Sequence, residues 1–261
     1  MIEGNTQLGT IVIAFISGVI PTLVWLWFWT REDKENPEPK NMIALAFLGG
    51  MIAVVISLFL EKYFYGFGLK NLFSSGIFSH ILPWFQSIAT KTGITIDKVL
   101  LVMIVAPIIE ELSKFVLAYI LVLRSKEDDE PLDPMIYMIT TALGFAAIEN
   151  MLFLIDPISK QNVIASINNG DMRFIGATLL HTISSATIAL FISYNFFDKK
   201  VEKTVYTVLG IIVAVFVHGA FNYFMLGNQG ASVTALELIW IAVIIVLIAF
   251  EKIKKIKLEK I

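Results

Sequence analysis

Cysteine is absent from this chain, so neither a disulfide nor a thiolate-ligated metal is open to it, and sulfur says nothing of its redox compartment. Any metal must be held by histidine, asparagine or carboxylate. Charge is scarce as well: 16% of residues are charged, the formal net charge is -2, and no basic block is interleaved with aromatics. That argues against nucleic acid as a partner. Three catalytic signatures are also missing. There is no HExxH helix of a standard zinc peptidase and no GxSxG-like nucleophile turn. Nor is there an aspartate pair within a span, since Asp97, Asp133, Asp156, Asp171 and Asp198 all lie near span ends. The opening "MIEGNTQ" lacks a cationic region, and the apolar run after it is too long for a typical cleaved signal, so the first helix is expected to be retained. No internal repeat is evident, which argues weakly against a repeat-built transporter.

What the chain has in quantity is apolar surface: 57% of its 261 residues are hydrophobic and the mean hydropathy is +0.77. No single globular core could hide that much, so the chain is expected to be an integral membrane protein. A span needs roughly 20 apolar residues. Segments near 8–29, 42–60, 98–123, 135–155, 174–197, 204–226 and 235–250 come close to this. The expected fold is an all-α polytopic membrane protein, one transmembrane helical domain over 1–261. It would be a bundle of about seven transmembrane helices, about eight if the stretch between the second and third also crosses. That stretch, 61–97, is aromatic and glycine-rich and then apolar for too few residues, so it reads as interfacial or re-entrant. His80 within it reads as interfacial.

Lysine and arginine set the expected orientation. One set of alternating loops carries Arg31, Lys34, Lys40, Arg124, Lys126, Lys199, Lys200, Lys203 and the tail Lys252, Lys254, Lys255, Lys257 and Lys260. The other holds Lys62, Lys70, Lys91, Lys98, Lys160 and Arg173. The N-terminus is therefore expected outside and the C-terminus in the cytoplasm of a multi-pass cell-membrane protein. Trp25, Trp27 and Trp29 precede the first basic loop, as an interfacial aromatic anchor would.

Against this topology a few polar residues stand inside spans: Glu110, Glu111 and Lys114; Glu149 and Asn150; His181; His218 and Asn222. A carboxylate at bilayer depth costs at least a few kcal/mol, so such groups face a bundle interior and carry function. At helical rise all four helices bring theirs to roughly 10–18 Å below the outer surface, which points to one shared site. Glu110 and Lys114 share a helix face at i,i+4, with Glu111 rotated by about 100°. His218 and Asn222, also i,i+4, can point at one ligand or water. Each pair alone has a bland reading, as an internal ion pair or as interhelical hydrogen bonding, and His181 alone could be a satisfied core histidine. Ser184 and Ser185, three and four positions after His181, could hydrogen-bond nearby but read first as packing. Asn150 either orients Glu149 or satisfies a local hydrogen bond. Together the groups point to carboxylate-and-histidine chemistry, with glutamate as base on a water.

Taken in order, "EELSK", "GFAAIEN", "HTISSA" and "HGAFN" on successive spans resemble the PrsW family of polytopic membrane proteases, relatives of the CAAX prenyl endopeptidases and bacteriocin-immunity membrane proteins. "NPEPK" and "DEPLDPMIYMITTALGFAAIEN" look like family segments too. The CAAX-type relatives end the second motif in His and carry Arg one position beyond the place of Lys114; Glu149 and Lys114 therefore point to the PrsW branch and away from prenylated substrates. The resemblance implies water-attack intramembrane proteolysis of a single-span membrane protein in the lipid bilayer, as in site-1 cleavage of an anti-sigma factor on its extracytoplasmic side. It implies Glu110, Glu111, Glu149, His181, His218 and Asn222 as site residues, with Lys114 and Asn150 in support. Two arrangements fit. In one, Glu149, His181 and His218 hold zinc or another divalent metal with an open water position, and Glu110 or Glu111 is the base. In the other, Glu110 activates water against His181 while His218 and Asn222 form an oxyanion site. The metal is the expected one, because converging these donors without a cation is costly. An ion-coupled transporter or receptor using the same carboxylates is the alternative function, and a non-catalytic scaffold a third.

Overall fold

In the computed structural model, residues 2–33, 36–69, 73–74, 79–160, 173–226 and 229–259 are described. Lys34, Lys70 and Lys260 of the orientation count, and residues 70–72 and 75–78 of the segment expected to be interfacial or re-entrant, lie outside them. Every regular element among the described residues is a helix. They are α1 (Ile2–Thr30), α2 (Lys40–Gly66), α3 (Leu82–Thr92), α4 (Ile96–Leu121), α5 (Asp133–Ser159), α6 (Thr178–Tyr194, entered through a π turn at Arg173–Ala177), α7 (Lys200–Met225) and α8 (Gln229–Glu259). Six of them are long and apolar enough to cross a membrane, and α3 with α4, bent by 112°, makes a seventh candidate span. The protein is thus a multi-pass helical bundle, as the sequence leads one to expect.

The bend between α3 and α4 is written in "KTGIT". Gly93 ends α3 with φ 70°, a left-handed conformation that glycine adopts without Cβ strain. Two residues on, the Thr95 hydroxyl accepts the N–H of Lys98 and caps α4. α3 buries Leu82, Phe85 and Ile88 on one side and leaves Trp84 half exposed. A helix of 11 residues with one apolar face is too short to cross and folds back on the bundle.

α5 and α6 form the centre. Residues 133–147 of α5 are buried without interruption, as is most of α6, because both helices are rich in small residues that let neighbours approach. The closest approach is to α2. A Cβ on Gly144 would stand 1.9 Å from the carbonyl oxygen of Phe47, and one on Gly50 would stand 1.9 Å from that of Thr141. The two backbones touch, which fixes α2 against the centre. The outer helices instead turn large apolar side chains outward, Phe59 at 72% and Phe216 at 74% exposed, onto the surface where lipid belongs. Of the three tryptophans expected at the interface, Trp27 is exposed with the Arg31 guanidinium 4.7 Å above its ring, whereas Trp29 is buried against Phe250 of α8.

At the end of the bundle that carries the basic loops, two connections are knotted by acids. The Tyr137 hydroxyl donates to Glu38, tying "NPEPK" to α5, and Asp133 accepts the N–H groups of Asp129 and Glu130 at 2.8 and 2.7 Å. Burial pushes Glu38 above the usual carboxylate range. It pushes Asp128 up to about 7, with Glu38 and Asp129 adding to the shift and Lys203 opposing it. A carboxylate whose pKa is raised by folding stabilises the fold below its unfolded pKa and loses that contribution as pH rises through the folded value. The unfolding midpoint in detergent should therefore rise as pH is lowered from about 8 to about 6, and Asp128→Asn should remove that part of the slope; equal slopes for both proteins would contradict the assignment.

Candidate active site

α4 changes its winding just before the paired glutamates. Over Leu101–Val105 it is a π turn, and the Ala106 N–H reaches back to the carbonyl of Leu101. The Val102 carbonyl loses its helical donor, and Pro107 has no N–H to offer in compensation. Asn222 of α7 supplies it, donating from Nδ2 to Val102 O at 2.9 Å. Gly219 permits the contact, since a Cβ there would stand 2.4 Å from the Met103 carbonyl oxygen. The expectation that His218 and Asn222 aim at one ligand thus divides. Both line the same cleft, but the Asn222 amide is engaged by the backbone of α4. π turns of this kind recur at functional sites.

Glu111 is fully buried and gathers four donors. Lys114 Nζ lies 2.5 Å from Oε1, the Ser184 hydroxyl 2.8 Å and His218 Nδ1 2.9 Å, while the Ser185 hydroxyl donates to Oε2 at 3.1 Å. An ionised carboxylate only accepts, so His218 must carry its hydrogen on Nδ1 and present the bare Nε2 to the other side. Lys114, placed by its i,i+4 spacing beside Glu110, pairs instead with Glu111 at i,i+3. Both spacings bring side chains together on a helix, and the hydroxyl and imidazole donors of α6 and α7 gather on the Glu111 side. Lys114 Nζ also stands 4.8 Å from the centre of the Phe145 ring.

Glu110 faces the other way, into a cleft of about 380 Å³ lined by α2, α4, α5, α6 and α7. Its Oε2 is buried without a hydrogen-bond partner. It stands 3.7 Å from His218 Nε2 and 3.8 Å from His181 Nδ1. His181 is held from behind as His218 is: its Nε2 lies 2.8 Å from Glu149 Oε2, so that nitrogen carries the hydrogen. Asn150 Nδ2 donates to Thr178 Oγ1 at 3.0 Å, joining α5 to α6. Two imidazole lone pairs and one orphaned carboxylate oxygen therefore converge, each histidine oriented by a carboxylate on its far nitrogen.

Among the described residues, Glu110, His181 and His218 are the group whose donor atoms lie within 4.8 Å of one another. Bonds near 2.0–2.2 Å around a tetrahedral ion set neighbouring donors roughly 3.3–3.6 Å apart, a few tenths closer than Glu110 stands to either histidine. A divalent cation fits this donor set. The Lys114 ammonium, 3.2 Å from His181 Nδ1, competes with a cation for that lone pair. Glu149, expected from the sequence as a ligand, touches His181 on the far side of the ring instead.

The family described as PrsW family intramembrane metalloprotease matches residues 38–250 of the chain. The chain belongs to the PrsW family. It is therefore a membrane-embedded protease, and the stretch matched contains all six residues expected at the site. Among curated relatives it is 26% identical over 250 residues to Protease PrsW of Clostridioides difficile (strain 630), covering 94% of this chain and 90% of that protein. It is 23% identical over 216 residues to Protease PrsW of Geobacillus kaustophilus (strain HTA426), covering 82% and 80%, and 21% identical over 221 residues to that of Bacillus subtilis (strain 168), covering 82% and 84%. No solved structure matches the chain.

Two contributions escaped the sequence reading. Ser184 and Ser185 look like packing residues in "HTISSA" but donate to Glu111; their i+3 and i+4 spacing from His181 was the signal. Glu61 lines the cleft from α2, one residue past the apolar run at 42–60. The geometry separates the neighbouring glutamates by experiment. In protein stripped of metal by a chelator, Glu111→Gln should cost about 3–5 kcal/mol of stability, because it strands the buried Lys114, whereas Glu110→Gln, which breaks no hydrogen bond, should leave the unfolding midpoint unchanged or raised. Equal losses from both would contradict the division.

Proposed function

We propose that this PrsW-family protease hydrolyses a peptide bond in the extracytoplasmic part of a single-span membrane protein of the anti-sigma type, by attack of a water activated in the Glu110 cleft. The observation that carries the reading is the orphaned Glu110 Oε2 between the bare nitrogens of His181 and His218. These three residues would hold a divalent metal, zinc by the chemistry of a carboxylate and two imidazoles. Such an ion supplies Lewis acidity and lowers the pKa of a bound water.

The remaining roles fall to the chain's own groups. Glu111 and Glu149 fix the tautomers of His218 and His181 and aim their lone pairs. Glu149 is the better placed of the two to act as base, because its side chain keeps 19% of its surface accessible while that of Glu111 keeps none. In this reading Glu149 takes the proton from the attacking water and returns it to the leaving amine. Asn222 holds the π turn that presents Glu110. Residues 1–261 act as one transmembrane unit around this cleft.

The orientation follows from the basic loops, with the N-terminus outside and the C-terminus in the cytoplasm. The cleft is lined by the late part of α2, α5 and α7 and the early part of α4 and α6. In alternating helices those parts share one side, which this orientation makes the outer half, where the extracytoplasmic stretch of a single-span substrate can enter. In proteoliposomes holding a designed single-span substrate, Glu110→Gln and Glu149→Gln should each slow cleavage by about 10²–10⁴-fold. Wild-type rates in both would refute the reading.

A further inference from the structure

The cleft has more negative charge than its catalytic groups use. Glu61 lines it together with Glu110 and Glu149 and interacts electrostatically with both. No lysine or arginine is among the lining residues, and Lys114 is committed to Glu111. A divalent ion between Glu110 and the histidines would balance two of the three carboxylates and leave one uncompensated. Carboxylates at this depth are expensive unless a cation meets them.

A second observation lies one helical turn away. Ser57 is 1% exposed, and its hydroxyl has no hydrogen-bond partner. Serines within a helix usually donate to the carbonyl of residue i−4, as Ser184 does to Leu180; Ser57 does not. Ser57 and Glu61 are i,i+4 neighbours on the face of α2 that lines the cleft. The hydroxyl is thus a buried acceptor aimed where the carboxylate is aimed. Leu58 beside them and Leu152 and Phe153 opposite form apolar walls that would cover the stem of a long cationic side chain while its head reaches the acids.

We infer that Ser57 and Glu61 form a substrate subsite on α2 that takes the side chain of a lysine or arginine next to the scissile bond. Glu61 supplies the counter-charge, and Ser57 accepts a hydrogen bond from the ammonium or guanidinium group. The subsite selects the peptide and takes no part in the water attack, and it rests on the protease reading given above.

The test uses the full-length protein in proteoliposomes with a designed single-span protein whose outer juxtamembrane segment is randomised, the cut sites being read by mass spectrometry. The wild type should cut sites with lysine or arginine within a few residues of the bond on the order of ten-fold more often than sites with aspartate or glutamate, the effect of about 1.4 kcal/mol. In Glu61→Gln that ratio should fall toward one, and in Glu61→Lys it should invert in favour of acidic sites. The isosteric Glu61→Gln keeps the test valid should Glu61→Lys fail to fold. An unchanged ratio in Glu61→Gln, or wild-type cleavage with no basic preference, would overturn the subsite alone. Loss of the bound metal in Glu61→Gln would also overturn it, by making Glu61 a ligand. No cleavage at all by the wild type would overturn the protease reading and the subsite together.

Discussion

A single buried anion organises the polar interior. Glu111 sits where water cannot reach, and its charge is met by a lysine one turn along α4, two hydroxyls of α6 and an imidazole of α7. Desolvating a carboxylate costs several kcal/mol, and only the simultaneous presence of these donors repays it. The anion therefore works as a clamp, since three helices must hold one relative position for its donors to meet. In the same act it fixes the tautomer of His218 and frees Glu110 from structural duty. The pair "EE" is a division of labour, one glutamate satisfied and one left open.

The same economy explains the π turn. Widening α4 by one residue frees the Val102 carbonyl, which Asn222 meets, and Gly219 gives α7 room to do so. "HGAFN" thus joins α7 to α4 through His218 on Glu111 and Asn222 on Val102. Glu149 closes the arrangement from α5 through His181. α4, α5, α6 and α7 are each bound to another by a polar contact, which a membrane interior favours because no water competes for those groups.

Much of this could be read from the sequence, and the limits have physical causes. Apolar run lengths located the spans, and shared depth grouped Glu110, Glu149, His181 and His218, because burying a charge in a bilayer is costly wherever it occurs. What run length cannot convey is rotation. Adjacent glutamates differ by about 100°, and i+3 and i+4 spacings serve a lysine almost equally, so which carboxylate Lys114 meets depends on where the donors of α6 and α7 gather. For the same reason Glu149, expected among the ligands, meets His181 at the ring nitrogen turned away from Glu110. Ser184 and Ser185 were hidden by the commonness of serine in packed helices. Glu61 was hidden because α2 runs on to Gly66, past the point where its apolar run stops.

The central claim is that Glu110, and not Glu149, joins His181 and His218 as a donor to a metal. Elemental analysis of the purified protein tests it most directly. The wild type should carry about one divalent ion per chain, Glu110→Gln should lose it under equilibrium dialysis, and Glu149→Gln should retain it with affinity weakened by about 10–100-fold, as for a residue that only orients a ligand. An ion that stays in Glu110→Gln and vanishes from Glu149→Gln would contradict the account, and so would a cleaving wild-type enzyme that holds no ion at all.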